Sequence, residues 1–285
     1  MSPRRAFTAV VQIGLLLVTA GCTTGTAGSQ PDQTNSLPAP KTMVSALAAT
    51  AAASTALPTG AATVELNPAD FSATVTNPYW PLEPRTRWTY REVIKDDSVS
   101  QTVVVATTKT RKIANGITAR VVRDTVREDG EIVEDTYDWY AQDRAGNVWY
   151  LGEDTAEFSE GKITSREGSF EAGVDGAQAG VIMPAHPRPG MRYRQEYYRG
   201  RAEDNGEELS VAELVEAPTG RYRNALLTKD TSTIEPTAAE HKFYAPGVGL
   251  VLTLQISGGA GRDELIKVDR AGPTDGTGPL GHPNG

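Results

Sequence analysis

The feature that most constrains this chain is the regular recurrence of turn signals between short runs of β-branched and aromatic residues. From Val64 onward a turn signal comes roughly every eight to fifteen residues. Asn115-Gly116 and Asp129-Gly130 are two-residue hairpin signals, because asparagine, aspartate and glycine tolerate the positive φ that such tight turns need. "RAGN" at Arg144–Asn147, "PGVG" at Pro246–Gly249 and "GGAGRDE" at Gly258–Glu264 serve the same purpose. The intervening runs alternate: Trp88 and Tyr90 share a face in "RTRWTYREVI", and "QTVVVATTKTRKI", "ITARVVRDTVRE", "EIVEDTYDWYAQD" and "VWYLGE" follow in succession. Further strands are predicted at 161–166, 192–199, 208–216, 225–233, 240–245, 249–257 and 263–268. Only "AELVEA" (Ala212–Ala217) reads equally well as helix or strand. Short, closely spaced strands predict an all-β fold, a single antiparallel meander forming a barrel or a curled half-barrel.

The ends read differently. Arg4 and Arg5 precede an apolar stretch, Ala6–Ala20, which is shorter than the about twenty residues that a membrane span needs. A basic start, a short apolar core and small residues at its end describe a signal peptide, residues 1–21. "LLVTAGC" resembles a bacterial lipobox: Ala20, Gly21 and Cys22 match it, and Thr19 stands where leucine is usual. Cys22 is the only cysteine, so it has no partner for an internal disulfide, and lipidation (palmitate among the acyl chains) accounts for it. This predicts an exported chain anchored to the outer face of the bacterial cytoplasmic membrane. Residues 22–62, rich in Thr, Ala, Ser, Gly and Pro and without an aromatic residue, are expected to form a disordered tether. Residues 63–270 are read as the β domain, holding all four tryptophans and all ten tyrosines, and residues 271–285 as a disordered tail.

The full chain holds 28 Lys+Arg and 36 Asp+Glu; losing Arg4 and Arg5 with the signal peptide leaves 26 against 36, a formal charge of −10. Such a chain has no electrostatic basis for general nucleic-acid binding. The acids are spread along the strands, which reads as solubility beside a negatively charged envelope.

"NPYWPLEPRTRWTY" (Asn77–Tyr90), "DWYAQDRAGNVWYLGE" (Asp138–Glu153), "VIMPAHPRPGMRYRQEYYRGRAED" (Val181–Asp204) and "EHKFYAPGVGLV" (Glu240–Val251) together resemble an uncharacterised family of exported bacterial proteins assigned as lipoproteins. The resemblance covers nearly all of the β domain and implies a shared fold. It brings no activity and no catalytic residue. Arg85 departs from it, standing where a glycine is expected in a Pro-Gly turn.

Three groups of residues are candidates for chemistry. "QEYYRGRAEDNGEELS" gathers Glu196, Glu203, Asp204, Glu207 and Glu208. Oxygen-rich loops suit hard cations, and Glu196, Glu203 and Asp204 are the ligands it would offer, but the spacing is not that of a calcium loop. Arg192, Arg194, Arg199 and Arg201 interleave with these acids, and the alternative is an ion-paired, solvated hairpin. His241 shares a strand face with Phe243, and only His186 offers a second core histidine; a zinc site lacks ligands. His282 lies in the tail. No Gly-x-Ser-x-Gly elbow, no P-loop and no catalytic cysteine is present, and no cofactor is implied. The doubled aromatics Trp139-Tyr140, Trp149-Tyr150 and Tyr197-Tyr198 must face opposite sides of a sheet. Either one face lines a cavity, with Trp139, Trp149, Tyr197 and His241 as ligand-binding candidates, or each tyrosine turns its hydroxyl to the surface. The reading that follows is a non-enzymatic binding domain for an apolar ligand or an envelope partner. Its alternatives are a hydrolase of envelope polymers using acidic residues or His241, and a structural or assembly subunit.

Overall fold

The computed structural model describes residues 56–94 and 99–285. The expected signal peptide, Cys22 and most of the expected tether lie outside the described residues. After a short 3-10 turn at Pro68–Asp70, capped by the Asn67 side chain, sixteen strands follow among the described residues. They are β1 (Phe71–Ser72), β2 (Thr86–Ile94), β3 (Val99–Lys112), β4 (Thr118–Glu128), β5 (Glu131–Asp143), β6 (Val148–Ser159), β7 (Lys162–Ser165) and β8 (Phe170–Glu171). The second half holds β9 (Gln178–Met183), β10 (Arg192–Arg194), β11 (Glu196–Tyr197), β12 (Asp204–Ala217), β13 (Gly220–Ser232), β14 (Ala239–Ala245), β15 (Gly249–Ser257) and β16 (Gly261–Arg270).

Two antiparallel meanders, β2 to β6 and β12 to β16, join where β16 pairs with β2. The sheet then nearly closes on itself. β10 pairs with β12 at one end and β11 pairs with β9 at the other, and only Gln195 separates β10 from β11. One short stretch of chain therefore bridges both edges and removes most of the exposed strand edge that an open sheet would present. The seam is tight: a Cβ on Gly180 would collide with the carbonyl carbon and oxygen of Gln195.

The Asp129-Gly130 hairpin adopts positive φ at both residues, 51° and 86°, as its sequence predicts. Arg85 also takes a left-handed backbone, φ 75°, at the position where glycine would be expected. Its cost is met by three hydrogen bonds: its amide donates to the Ala106 carbonyl (2.6 Å), its carbonyl accepts from the Ala271 amide (2.7 Å), and its Nε donates to the Ala271 carbonyl (2.8 Å).

Three expectations need correction. Residues 271–285 form a strap lying on the outside of β3, β4 and β5 instead of a disordered tail. Arg123, only 1% exposed, donates to the carbonyls of Gly278 (3.0 Å) and Pro279 (2.9 Å), while the Gly281 amide donates to Asp135 (2.6 Å). The Arg123–Asp135 ion pair that holds the strap is buried beneath it. Residues 57–62, expected to belong to the tether, also pack on the barrel: the buried Arg194 guanidinium donates to the carbonyls of Gly60 (2.7 Å) and Ala62 (2.6 Å), and Leu57 joins an apolar cluster. Backbone carbonyls satisfied by buried arginines order both segments, a source of order that apolar content does not reveal. Finally, β9 escapes the sequence reading because "AQAGVIM" lacks alternation, although Asp175-Gly176 just before it is an Asp-Gly turn with positive φ at both residues, 49° and 83°.

Candidate functional site

The doubled aromatics sort the two faces of the sheet, in the opposite sense to the surface-tyrosine alternative. Tyr140 and Tyr150 face the barrel interior and stack with ring centroids 5.0 Å apart. Trp139 and Trp149 lie on the outer face in a second apolar cluster, closed over by Phe71, Leu57, Val64 and Leu66. Tyr197 is half-buried near the Arg194 guanidinium, and His241 is half-buried on the outer face of β14, its register partners being Lys229 and Leu254. These four residues therefore do not line one cavity. His186 and His282 are exposed.

The expected cation ligands are also divided. Glu196 and Asp204 are buried in the interior and hydrogen-bonded to each other, whereas Glu203 stays outside, accepting from the Gly200 amide (2.7 Å) and the Thr233 hydroxyl (2.6 Å). Among the described residues no three His, Cys, Asp or Glu side chains converge on a metal position. The ion-paired hairpin holds only for Arg192 with Glu207 (2.9 Å); Arg194 is spent on carbonyls and Arg201 lies over Tyr198.

What the fold does assemble is one mouth of the barrel. The segment Asn77–Pro84 crosses it and is tied down from several sides. The Gln142 side chain accepts from the amides of Thr76 (2.7 Å) and Asn77 (3.0 Å), and the Asn77 amide nitrogen donates to the carbonyls of Gly146 (3.2 Å) and Pro184 (3.0 Å). The Gly247 amide donates to the Pro78 carbonyl (2.7 Å). All four stretches that carry the family resemblance contribute to this end. The Trp80 ring packs 5.5 Å from Tyr140 and 5.8 Å from Tyr244. The Trp88 indole N–H donates to the Val248 carbonyl (2.8 Å) and the Tyr90 hydroxyl to the Leu250 carbonyl (3.1 Å). The Trp80 indole N–H is buried and finds no hydrogen-bond partner among the described residues, an unusual state for a buried donor.

Two hollows meet here. The inner one, about 40 Å³, is almost wholly apolar and is lined by Trp80, Leu82, Trp88, Tyr90, Val122 and Tyr140, among others. The outer one, about 360 Å³, has a mixed lining that includes Glu83, Thr86, Thr219, Tyr222, Val248 and Val268. Pro81 and Trp88 belong to both walls. The outer hollow alone reaches the size of small-molecule sites, about 300 to 1,000 Å³.

Deeper in the barrel the lining changes abruptly. On each of four neighbouring strands, one step of two residues along the inward face leads from an apolar wall to a polar group. These steps run from Tyr90 to Glu92 on β2, Val104 to Thr102 on β3, Val122 to Asp124 on β4, and Tyr140 to Asp138 on β5. The polar layer continues around the barrel through Glu153, Glu196, Asp204, Asp230, Glu240 and Asp263. Acids spread along the strands thus do more than keep the chain soluble, because many of them line its interior. Lys242 is a cation in this layer, paired with Asp230 (3.1 Å) and Glu240 (3.3 Å).

Burial pushes Asp124, Asp138, Glu153, Glu196, Asp204 and Asp263 toward the protonated form, since taking a charge out of water is costly. Asp263 rises to about 9, through burial first and then through Glu92 and Glu240. Glu208 rises to about 7, through burial and the nearby Asp230, while the Tyr193 hydroxyl (2.7 Å) opposes the shift. Asp124 stands well above the ordinary carboxyl range, through burial and then Asp138 and Glu134. Both Asp124 oxygens, Asp138 Oδ2, Asp263 Oδ1 and the hydroxyls of Thr102 and Thr253 are buried without a hydrogen-bond partner among the described residues.

No protein-family model and no curated relative matches the chain. Two solved structures resemble it. One is a protein of Bacteroides fragilis assigned as exported, with a YmcC-like fold; it is 14% identical, covers 67% of this chain and 99% of its own, and has a TM-score of 0.43. The other is a protein of Parabacteroides distasonis assigned as a lipoprotein, 12% identical, covering 67% of this chain and 98% of its own, with a TM-score of 0.36. Likenesses this distant carry no argument about what the present chain does.

Proposed function

We propose that this chain is an extracytoplasmic lipoprotein, anchored through Cys22 at the outer face of the cytoplasmic membrane, whose barrel binds a small apolar molecule at its mouth without chemically altering it. The observation that carries the binding reading is the pair of adjoining hollows sharing Pro81 and Trp88. A largely aromatic inner wall stabilises an apolar body by about 25 cal/mol for each Å² removed from water, and a larger, partly polar hollow receives what protrudes.

The test is titration with the fluorescent apolar probe N-phenyl-1-naphthylamine. Val268 lines the outer hollow, is 43% exposed, and accepts a larger side chain without disturbing the core. Wild type is expected to bind the probe, and Val268→Trp to bind it at least tenfold more weakly at unchanged thermal stability. No binding by wild type, or equal binding by Val268→Trp, refutes the mouth as the site. For the anchor, a chain expressed with labelled palmitate is expected to carry the label, and Cys22→Ala to lose both label and membrane association.

A further inference from the structure

We propose that the barrel interior selects a cationic amphiphile, an apolar chain ending in an ammonium group, with the chain in the aromatic mouth and the ammonium among Asp124, Asp138 and Asp263. This rests on the proposed binding at the mouth and names the chemical class of its ligand.

Three observations carry it. The first is continuity. Tyr90 lines the inner apolar hollow and also senses the charges of Asp124 and Asp263, so its ring spans the boundary between the two zones. Val122 lines the hollow, and Asp124 lies two residues along the same face of β4, a distance of about 7 Å. A head group about five or six bonds beyond the part of an apolar chain that lies against Val122 therefore meets the acids.

The second is unmet hydrogen-bonding capacity. Asp124 is 3% exposed, and among the described residues neither of its oxygens has a partner, nor do Asp138 Oδ2 and Asp263 Oδ1. An ammonium carries three donors and no acceptor, the complement of a set of orphaned carboxyl oxygens. A carboxylate or phosphate head would bring further acceptors and negative charge.

The third is that the layer already treats an ammonium in this way. The Lys242 amine is 4% exposed as a residue and is held by Asp230 and Glu240, two of the same ring of acids. The groups acting on Asp124 are Asp138, Glu134 and Asp135 of β5 and Asp263 of β16, with the Tyr90 hydroxyl of β2 beside them; Glu92 and Lys242 act on Asp263. The groups acting on Asp124 are acidic or neutral, and the base that reaches Asp263, Lys242, is itself held by Asp230 and Glu240.

An ammonium arriving here draws the proton off a neighbouring carboxyl group, and that proton leaves to solvent. Neutral acids are thereby replaced by a buried charge pair with charge-assisted hydrogen bonds. Because an oxygen-only donor set also suits a hard metal ion, the test separates the two.

The experiment is displacement of N-phenyl-1-naphthylamine from the full chain at pH 7 by decylamine, decanol and decanoate, the two ionic ligands below their micelle concentrations and decanol below its solubility limit. Decylamine is expected to bind at least tenfold more tightly than decanol, and decanoate more weakly than either. Asp124→Asn is expected to bring decylamine to within about twofold of decanol while leaving decanol binding unchanged. Asp263→Asn, made in parallel, is expected to narrow the same gap and serves if Asp124→Asn does not fold. Equal binding of all three ligands to wild type overturns the head-group selection and leaves the mouth reading standing. Binding of none overturns both. Tightening by Ca²⁺ alone, with no preference for the amine, assigns the acids to a metal and overturns the proposal.

Discussion

Glu208→Gln isolates the energetic consequence of the acidic interior at a single residue. Glu208 is fully buried; its Oε1 accepts from the Tyr193 hydroxyl at 2.7 Å and its Oε2 has no hydrogen-bond partner among the described residues. Glutamine keeps the shape and the acceptor and removes the ionisation. In the folded protein the carboxyl holds its proton up to about pH 7, against 4.5 for an ordinary glutamate. Between those values the folded state binds more protons than the unfolded one, so stability falls as pH rises. Below 4.5 the group is neutral in both states and the stabilisation is fully present; above 7 it is lost. A gap of two to three pH units corresponds to about 3 kcal/mol. Relative to wild type, the Gln variant is therefore expected to gain up to about 3 kcal/mol between pH 4.5 and pH 8, with a ceiling set by side-chain relaxation. Urea unfolding followed by tyrosine and tryptophan fluorescence at pH 4.5, 6, 7 and 8 measures this difference directly. A constant difference across the series, or one that shrinks toward high pH, would refute the reasoning that burial keeps Glu208 protonated.

Wild type itself is expected to lose stability from about pH 5 to pH 9, because Asp263 and Glu208 titrate there with raised values; a thermal midpoint that climbs over this range contradicts an acidic interior. Gly180→Ala drives a methyl group into the Gln195 carbonyl at the barrel seam and is expected to cost about 2 kcal/mol or more, whereas Gly130→Ala, with open space around it and a φ of 86°, costs about 1 kcal/mol. Denaturant midpoints for the pair decide whether the seam is as tight as described. Arg123→Met leaves Asp135 buried without its cation and removes two anchors of the strap. It is expected to cost about 3–5 kcal/mol and to make residues 271–285 sensitive to protease, read by unfolding and by limited proteolysis with mass spectrometry. His241→Ala, on the outer face, is expected to change stability by less than about 1 kcal/mol and to leave probe binding unchanged.

The all-β class, the antiparallel order and most strand positions were legible in the sequence because their causes are local. Turn residues with positive φ and alternation along each run act over two to ten residues, and Asp129-Gly130 folds as its dihedral preferences dictate. Alternation also established that Trp139 and Tyr140, or His241 and Lys242, face opposite ways. It could not say which face is enclosed. That was decided where the β10–β11 stretch bridges β12 and β9, for closure converts one face of every strand into an interior. The outcome places Tyr140, Asp124 and Lys242 inside and Trp139, Arg123 and His241 outside, against the usual expectation that charged positions mark the solvent side. The candidate site was hidden for the same reason. Its walls come from Asn77–Pro84, β2, β4, β5 and the Pro246–Gly249 turn, segments up to about 170 residues apart that only the closed sheet brings together. Short-range sequence carries the shape of each strand, and long-range closure carries what that shape encloses.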